Sequence, residues 1–163
     1  MSRSLVEHPE DSPVDSMPRG QANPSHPTDN MSPVEIISDG EQPLAYLIRG
    51  NWMPQKTEFL TPDHFGQQVG MIVHSADEDI PPHLHLPVLR EVQGTTECIV
   101  VRKGSCDIDI YDSRKQLMTS RQLIRGDVVL LLAGGHGFHM REDTVLFEVK
   151  QGPYMGILDK ERF

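Results

Sequence analysis

From residue 34 to the C-terminus, no stretch of this chain keeps apolar residues at helical spacing for three turns. Its apolar runs are short, and Gly, Pro, Asp and Asn separate them at close intervals. A chain patterned this way can bury its apolar residues only as many short strands, in a sandwich or barrel. The expected strands are Val34–Ile37, Leu44–Ile48, Thr57–Leu60, Gln68–His74, Glu97–Arg102, Cys106–Tyr111, Leu117–Gln122, Val128–Leu132 and Val145–Gln151. Cys106 to Asp112 alternates cleanly between apolar and polar residues, the mark of a strand with one buried face. Asp112-Ser113-Arg114-Lys115 then reads as a hairpin turn.

Residues 1–33 differ in kind. They hold six of the thirteen prolines and no aromatic residue, too little apolar surface to offset the entropy of ordering. We read 1–33 as a disordered tail that carries no chemistry, with a single domain over 34–163. Met31 is a plausible alternative start. The net charge of −9 lacks the basic footprint that nucleic acid or an anionic membrane requires, so neither is an expected partner. The chain has no apolar run of bilayer-spanning length, no signal-peptide pattern, and only Cys98 and Cys106. A cytoplasmic protein is the expectation, with Cys106 a small buried apolar residue beside Ile108 and Ile110. Cys98 should point to the face opposite Glu97.

The candidate chemistry lies in the histidines. Pro81-Pro82-His83-Leu84-His85 puts two imidazoles two residues apart, and on an extended strand such residues point to one face. Imidazole pairs of this kind suit Zn, Fe, Ni, Cu or Mn, although a bare pair is more often an ordinary surface or core feature. Further on, six residues separate Glu97 from Gly104, and a Gly126-Asp127 turn precedes an apolar strand that runs into Gly134-Gly135-His136.

Together these elements resemble the two motifs of the cupin superfamily, in which an HxH pair and a Glu come from the first motif and a His from the second. The resemblance covers roughly residues 55–163. It implies a double-stranded β-helix, the jelly-roll cupin barrel, with one divalent metal held by His83, His85, Glu97 and His136. Gly104 and Gly126 would be turn residues. Eleven residues stand between His85 and Glu97, more than the common pattern has, and Leu132 fills a slot that is usually Pro. The phrases HxHxPVxR, GGHGF and VKQGPY, with a terminal DKxRF, are similar to a group of small bacterial cupins encoded near surface-polysaccharide genes, in which the same insertion occurs. The resemblance also implies a homodimer.

Fe(II) is the favoured metal, with Mn, Ni or Zn as alternatives. Dioxygenase chemistry on a small polar or anionic metabolite is the leading expectation, with Glu97 a ligand and proton shuttle. Arg90 can clamp a carboxylate or phosphate, or pair with Glu91 as a surface arginine. Isomerase, epimerase or lyase chemistry on a sugar-like or hydroxy-acid substrate is the second reading, and a non-catalytic binding or sensor module the third. His139 is a substitute ligand if the register differs. Lys150 and Tyr154 are candidates to reach the pocket.

Overall fold

The computed structural model describes residues 32–153, Gly156 and residues 160–163. The expected tail therefore lies, for residues 1–31, outside the described residues, as does Tyr154. Within them the chain is all-β, and every strand pairing is antiparallel. Five strands form the larger sheet: β1 (Val34–Asp39), β2 (Gln42–Ile48), β5 (Glu97–Lys103), β8 (Val128–Leu131) and β10 (Val145–Lys150), in the order β1-β2-β8-β5-β10. A second sheet has the order β7-β6-β9, from β6 (Ser105–Tyr111), β7 (Leu117–Ile124) and β9 (Gly135–Met140). β3 (Glu58–Phe59) and β4 (Gly70–Met71) make a two-residue ladder of their own. The sheets stay separate and do not close into one ring of strands.

The alternation read from the sequence builds the core. Cys106, Ile108 and Ile110 on β6 are almost wholly buried and pack with Leu123 of β7. They face Ile99 and Val101 of β5, Val129 and Leu131 of β8, Ala45 and Leu47 of β2, and Ile37 of β1 in one cluster. Each such side chain contributes on the order of 1.5–3 kcal/mol by leaving water, so this two-layer cluster is the main stabilising feature of the domain.

Two turns fix the layers to each other. At Gly104, between β5 and β6, φ is +78°, and a Cβ would stand 2.5 Å from the Asp143 carbonyl oxygen. Gly126, with φ +97°, lies in the turn between β7 and β8. Both serve as the turn residues expected of them. Beside Gly126 the Asp127 carboxylate is buried and accepts hydrogen bonds from Arg49 Nη1 (3.1 Å), Gly50 N (2.8 Å) and Ile124 N (3.1 Å). Arg49 Nη1 also donates to the Gln122 carbonyl at 2.9 Å, tying the end of β2 to the β7–β8 turn.

Two expectations need correction. The segment carrying His83 and His85 is not a strand: residues 72–96 have no strand, and all side chains from 74 to 95 are exposed. Pro81, Pro82 and Pro87 lack the backbone N–H that a sheet ladder needs, which explains why the run fails to pair. Conversely, β9 over Gly135–Met140 was not expected, since two of its first three residues are glycines and its apolar pattern is thin.

Candidate functional site

Glu97 opens β5 and points into the space between the two main sheets, on the same face as Ile99 and Val101. Its side chain is only 7% exposed, an expensive position for a carboxylate without partners. The partner comes from the other layer. His136 on β9 lies opposite Ile110, as Phe138 lies opposite Ile108, so both point inward. His136 Nε2 reaches Glu97 Oε2 at 3.1 Å and bridges the sheets at one end of the core. The Phe138 ring packs edge-on against the imidazole, with centroids 5.9 Å apart.

The other carboxylate oxygen faces two ammonium groups. Lys150 Nζ, from the register position directly opposite Glu97 on β10, lies 3.6 Å from Oε1, and Lys160 Nζ lies 3.9 Å from it. Lys150 also pairs closely with Glu148. That hydrogen bond is the main reason the Lys150 ammonium is held above the ordinary lysine value, with Glu97 adding to it. Burial pushes the His136 imidazole below its usual value; Glu97 pulls it up and Lys160 pushes it further down. His136 is therefore neutral near pH 7.

Lys160 was not found by sequence reasoning, because no spacing links a residue at the chain end to Glu97. Its position follows from the docking of residues 160–163. Phe163 stacks edge-on against Tyr111 (5.2 Å, 88°), and its ring sits over Gly135, where a Cβ would come within 2.9 Å. Lys115 holds the same segment through Glu161 at 2.7 Å.

The structure brings together two of the four expected ligands. Neighbouring ligands on one ion, each about 2.1 Å from it, stand about 3.0–3.4 Å apart, so the 3.1 Å between Glu97 Oε2 and His136 Nε2 fits a shared cation. A neutral imidazole beside an anionic carboxylate is also the right donor chemistry. His83 and His85 form a separate pair, with ring centroids 5.3 Å apart. His83 Nδ1 donates to the Pro81 carbonyl at 3.0 Å. Among the described residues, no three His, Cys, Asp or Glu side chains converge on one point.

Of the other candidates, Arg90 is exposed on the 72–96 segment, and no ion pair joins it to Glu91. His139 lies opposite Asp107 and so faces away from His136, into an outer groove that Asp107, Asp109, Arg121 and Arg141 also line. His74 is an exposed loop residue paired with Glu78 at 3.2 Å. Burial pushes both cysteine thiols up, which suits inert packing residues better than nucleophiles.

Fold and site together define an open, two-layer antiparallel β-protein with a carboxylate–imidazole pair joining its layers and two lysines beside it. No protein-family model, curated protein or solved structure matches the chain. No helix among the described residues is long and apolar enough to cross a membrane.

Proposed function

We propose that this chain is a small jelly-roll cupin whose Glu97–His136 pair is half of a divalent metal site, completed by His83 and His85. In this reading it is an enzyme acting on a small polar or anionic metabolite, with Fe(II) as the favoured metal. The observation that carries the reading is the 3.1 Å approach of Glu97 and His136 from opposite sheets, at one end of the apolar cluster between them. Buried pairs add little net stability, whereas a site whose ligands come from two layers is held rigid by both.

The metal would supply open positions at which substrate oxygens, and dioxygen in the oxidative reaction we favour, are polarised or activated. The chain's own residues do the rest. His136, as its Nδ1–H tautomer, would offer the Nε2 lone pair to the cation, and Glu97 would bind it through one oxygen and could hold a proton on the other. His83 and His85, on the proline-rich segment, would supply the other two ligands. Arg90, five residues past His85, would be the group on that segment that clamps a substrate carboxylate.

The reading is tested by the metal content of untagged protein. We expect about one equivalent in the parent, lost in Glu97→Gln, in His136→Ala and in the double variant His83→Ala/His85→Ala. Parent protein that takes up neither iron, manganese, nickel nor zinc when each is offered anaerobically would sink the proposal. Should iron be the bound ion, oxygen uptake on candidate substrates distinguishes oxidation from isomerase or lyase chemistry.

A further inference from the structure

Residues 160–163 run from the outer face of the second sheet to the Glu97 carboxylate between the sheets. His136 points inward on β9, so its neighbour Gly135 faces outward. The Phe163 ring lies on that outward face, edge-on to Tyr111, and fills the place a side chain at 135 would take. A Cβ on Gly135 would stand 2.9 Å from the ring's Cζ. Lys115, in the turn between β6 and β7, holds the same segment through Glu161 at 2.7 Å, with its Nζ 5.5 Å from the Phe163 ring centroid. Lys160 Nζ then stands 3.9 Å from Glu97 Oε1. The segment therefore bends round the start of β9, with an aromatic ring seated outside and an ammonium group inside.

Its anchors are weak and wet. Lys160 is 51% exposed and Glu161 77%, and Phe163 is exposed as well. Exposed ion pairs and cation–π contacts contribute little singly, and the entropy of ordering the segment opposes them. The carboxylate they lead to is 7% exposed. A buried group beside a loosely held segment is uncovered by local release, without unfolding of the sheets.

We propose that residues 160–163 are an autoinhibitory strap: docked, they put the Lys160 ammonium where a ligand of Glu97 Oε1 would bind, and released, they open the Glu97–His136 pair. Gly135 and Tyr111 are the seat, and Lys160 is the blocking group. The strap governs access to the pair, whatever the pair binds. It needs no metal, and it stands or falls separately from the metal reading.

The test is the rate at which diethyl pyrocarbonate, a neutral reagent, modifies His136 in full-length protein. A chelator is kept present, so that no bound ion shields the imidazole. Peptide mass spectrometry reads the rate against that of His74, an exposed loop residue of the same molecule. A site that is open about a tenth of the time reacts about tenfold more slowly than one that is always open. Removal of residues 160–163 should therefore speed His136 about tenfold and leave His74 unchanged. Gly135→Ala should act in the same direction in a chain of full length. The clash falls on the far end of a ring and not on backbone, and the φ of Gly135 is not left-handed, so the ring loses its seat while β9 keeps its shape. This variant also keeps Lys160, which separates release of the strap from loss of its charge. Raising salt from about 0.01 M to about 0.5 M screens the exposed ion pairs and should speed His136 in the parent but not in the shortened chain. A purely structural role would move both histidines together. Rates for His136 in Gly135→Ala and in the shortened chain within about twofold of the parent, each relative to His74, overturn the strap. Should the shortened chain lose its strand signal in circular dichroism, Gly135→Ala decides by the same threshold.

Discussion

At the residue scale, the turn after β6 shows how one side chain can fix a local structure. Asp112 Oδ1 accepts from the backbone N–H groups of Arg114 (2.9 Å) and Gln116 (2.8 Å), and Oδ2 accepts from Arg114 Nε (2.9 Å). This lets Lys115 hold its left-handed φ of +64°. The Gln116 amide, with help from Arg114, holds the carboxyl below its ordinary value of 3.8 against the opposing effect of burial. The folded chain then binds this proton less readily than the unfolded chain. The resulting stability is complete above the ordinary value and is lost as pH falls through the lowered one. We therefore expect Asp112→Asn to lower the urea midpoint at pH 7, and the gap to the parent to close as the pH falls below the ordinary aspartate value. A gap that persists unchanged into acid would assign the effect to shape and not to charge. This turn was legible in the sequence because its determinants are contiguous, as were the buried positions of Cys106, Ile108 and Ile110, which alternation alone specifies.

At the scale of elements, the expected strands that bury a face exist, and those that do not are shortened. Thr57–Leu60 and Gln68–His74 shrink to two residues each, and Phe59 and Ile72 remain exposed. With both side chains left to solvent, burial does not reward a longer ladder. The HxH run is the opposite case to β9. Its spacing suggested a strand that its prolines forbid, whereas β9 pairs with β6 over six positions despite its glycines. Tertiary context decided both, and no local pattern reports it. The junction of β2 with the β7–β8 turn gives a sharper test. A Cβ on Gly50 would stand 2.5 Å from the carbonyl carbon of Gly126 and 2.8 Å from its Cα. Backbone cannot yield there as a side chain would. Gly50→Ala should cost about 3 kcal/mol or more, at the upper end of overpacking effects. Gly137→Ala, whose Cβ meets nothing within 4 Å, should stay within about 0.5 kcal/mol. Equal denaturation midpoints for the two variants would mean that the β2 end and the β7–β8 turn are not locked together.

At the scale of the molecule, sequence reasoning named Glu97 and His136 and missed Lys160, since only the folded chain brings residue 160 back to residue 97. A further feature is apolar surface left exposed among the described residues. Leu84, Leu86, Val88 and Leu89 are bare along the 72–96 segment, Leu89 to 99%. Phe147 and Val149 are 55% and 48% exposed on β10, which is an edge strand of the larger sheet. Exposed apolar side chains and an open strand edge are what a second copy can cover, and the homodimer expected from the cupin resemblance would supply one. Light scattering of the purified protein should then give about twice the 18.4 kDa of one chain. Two variants locate the contact: Phe147→Lys/Val149→Lys shifts the mass to the monomer if the edge strand is the interface, and Leu86→Asp/Leu89→Asp does so if the proline-rich segment is. The net charge of −9 gives the contact a salt dependence with a definite sign. Like-charged chains repel through solvent, and salt screens that repulsion more than it weakens apolar burial, so the dimer should tighten between about 0.01 M and about 0.15 M salt. A parent that stays monomeric across this range at about 100 μM, a concentration that would populate even weak dimers, would remove the homodimer and leave the bare residues to a different partner.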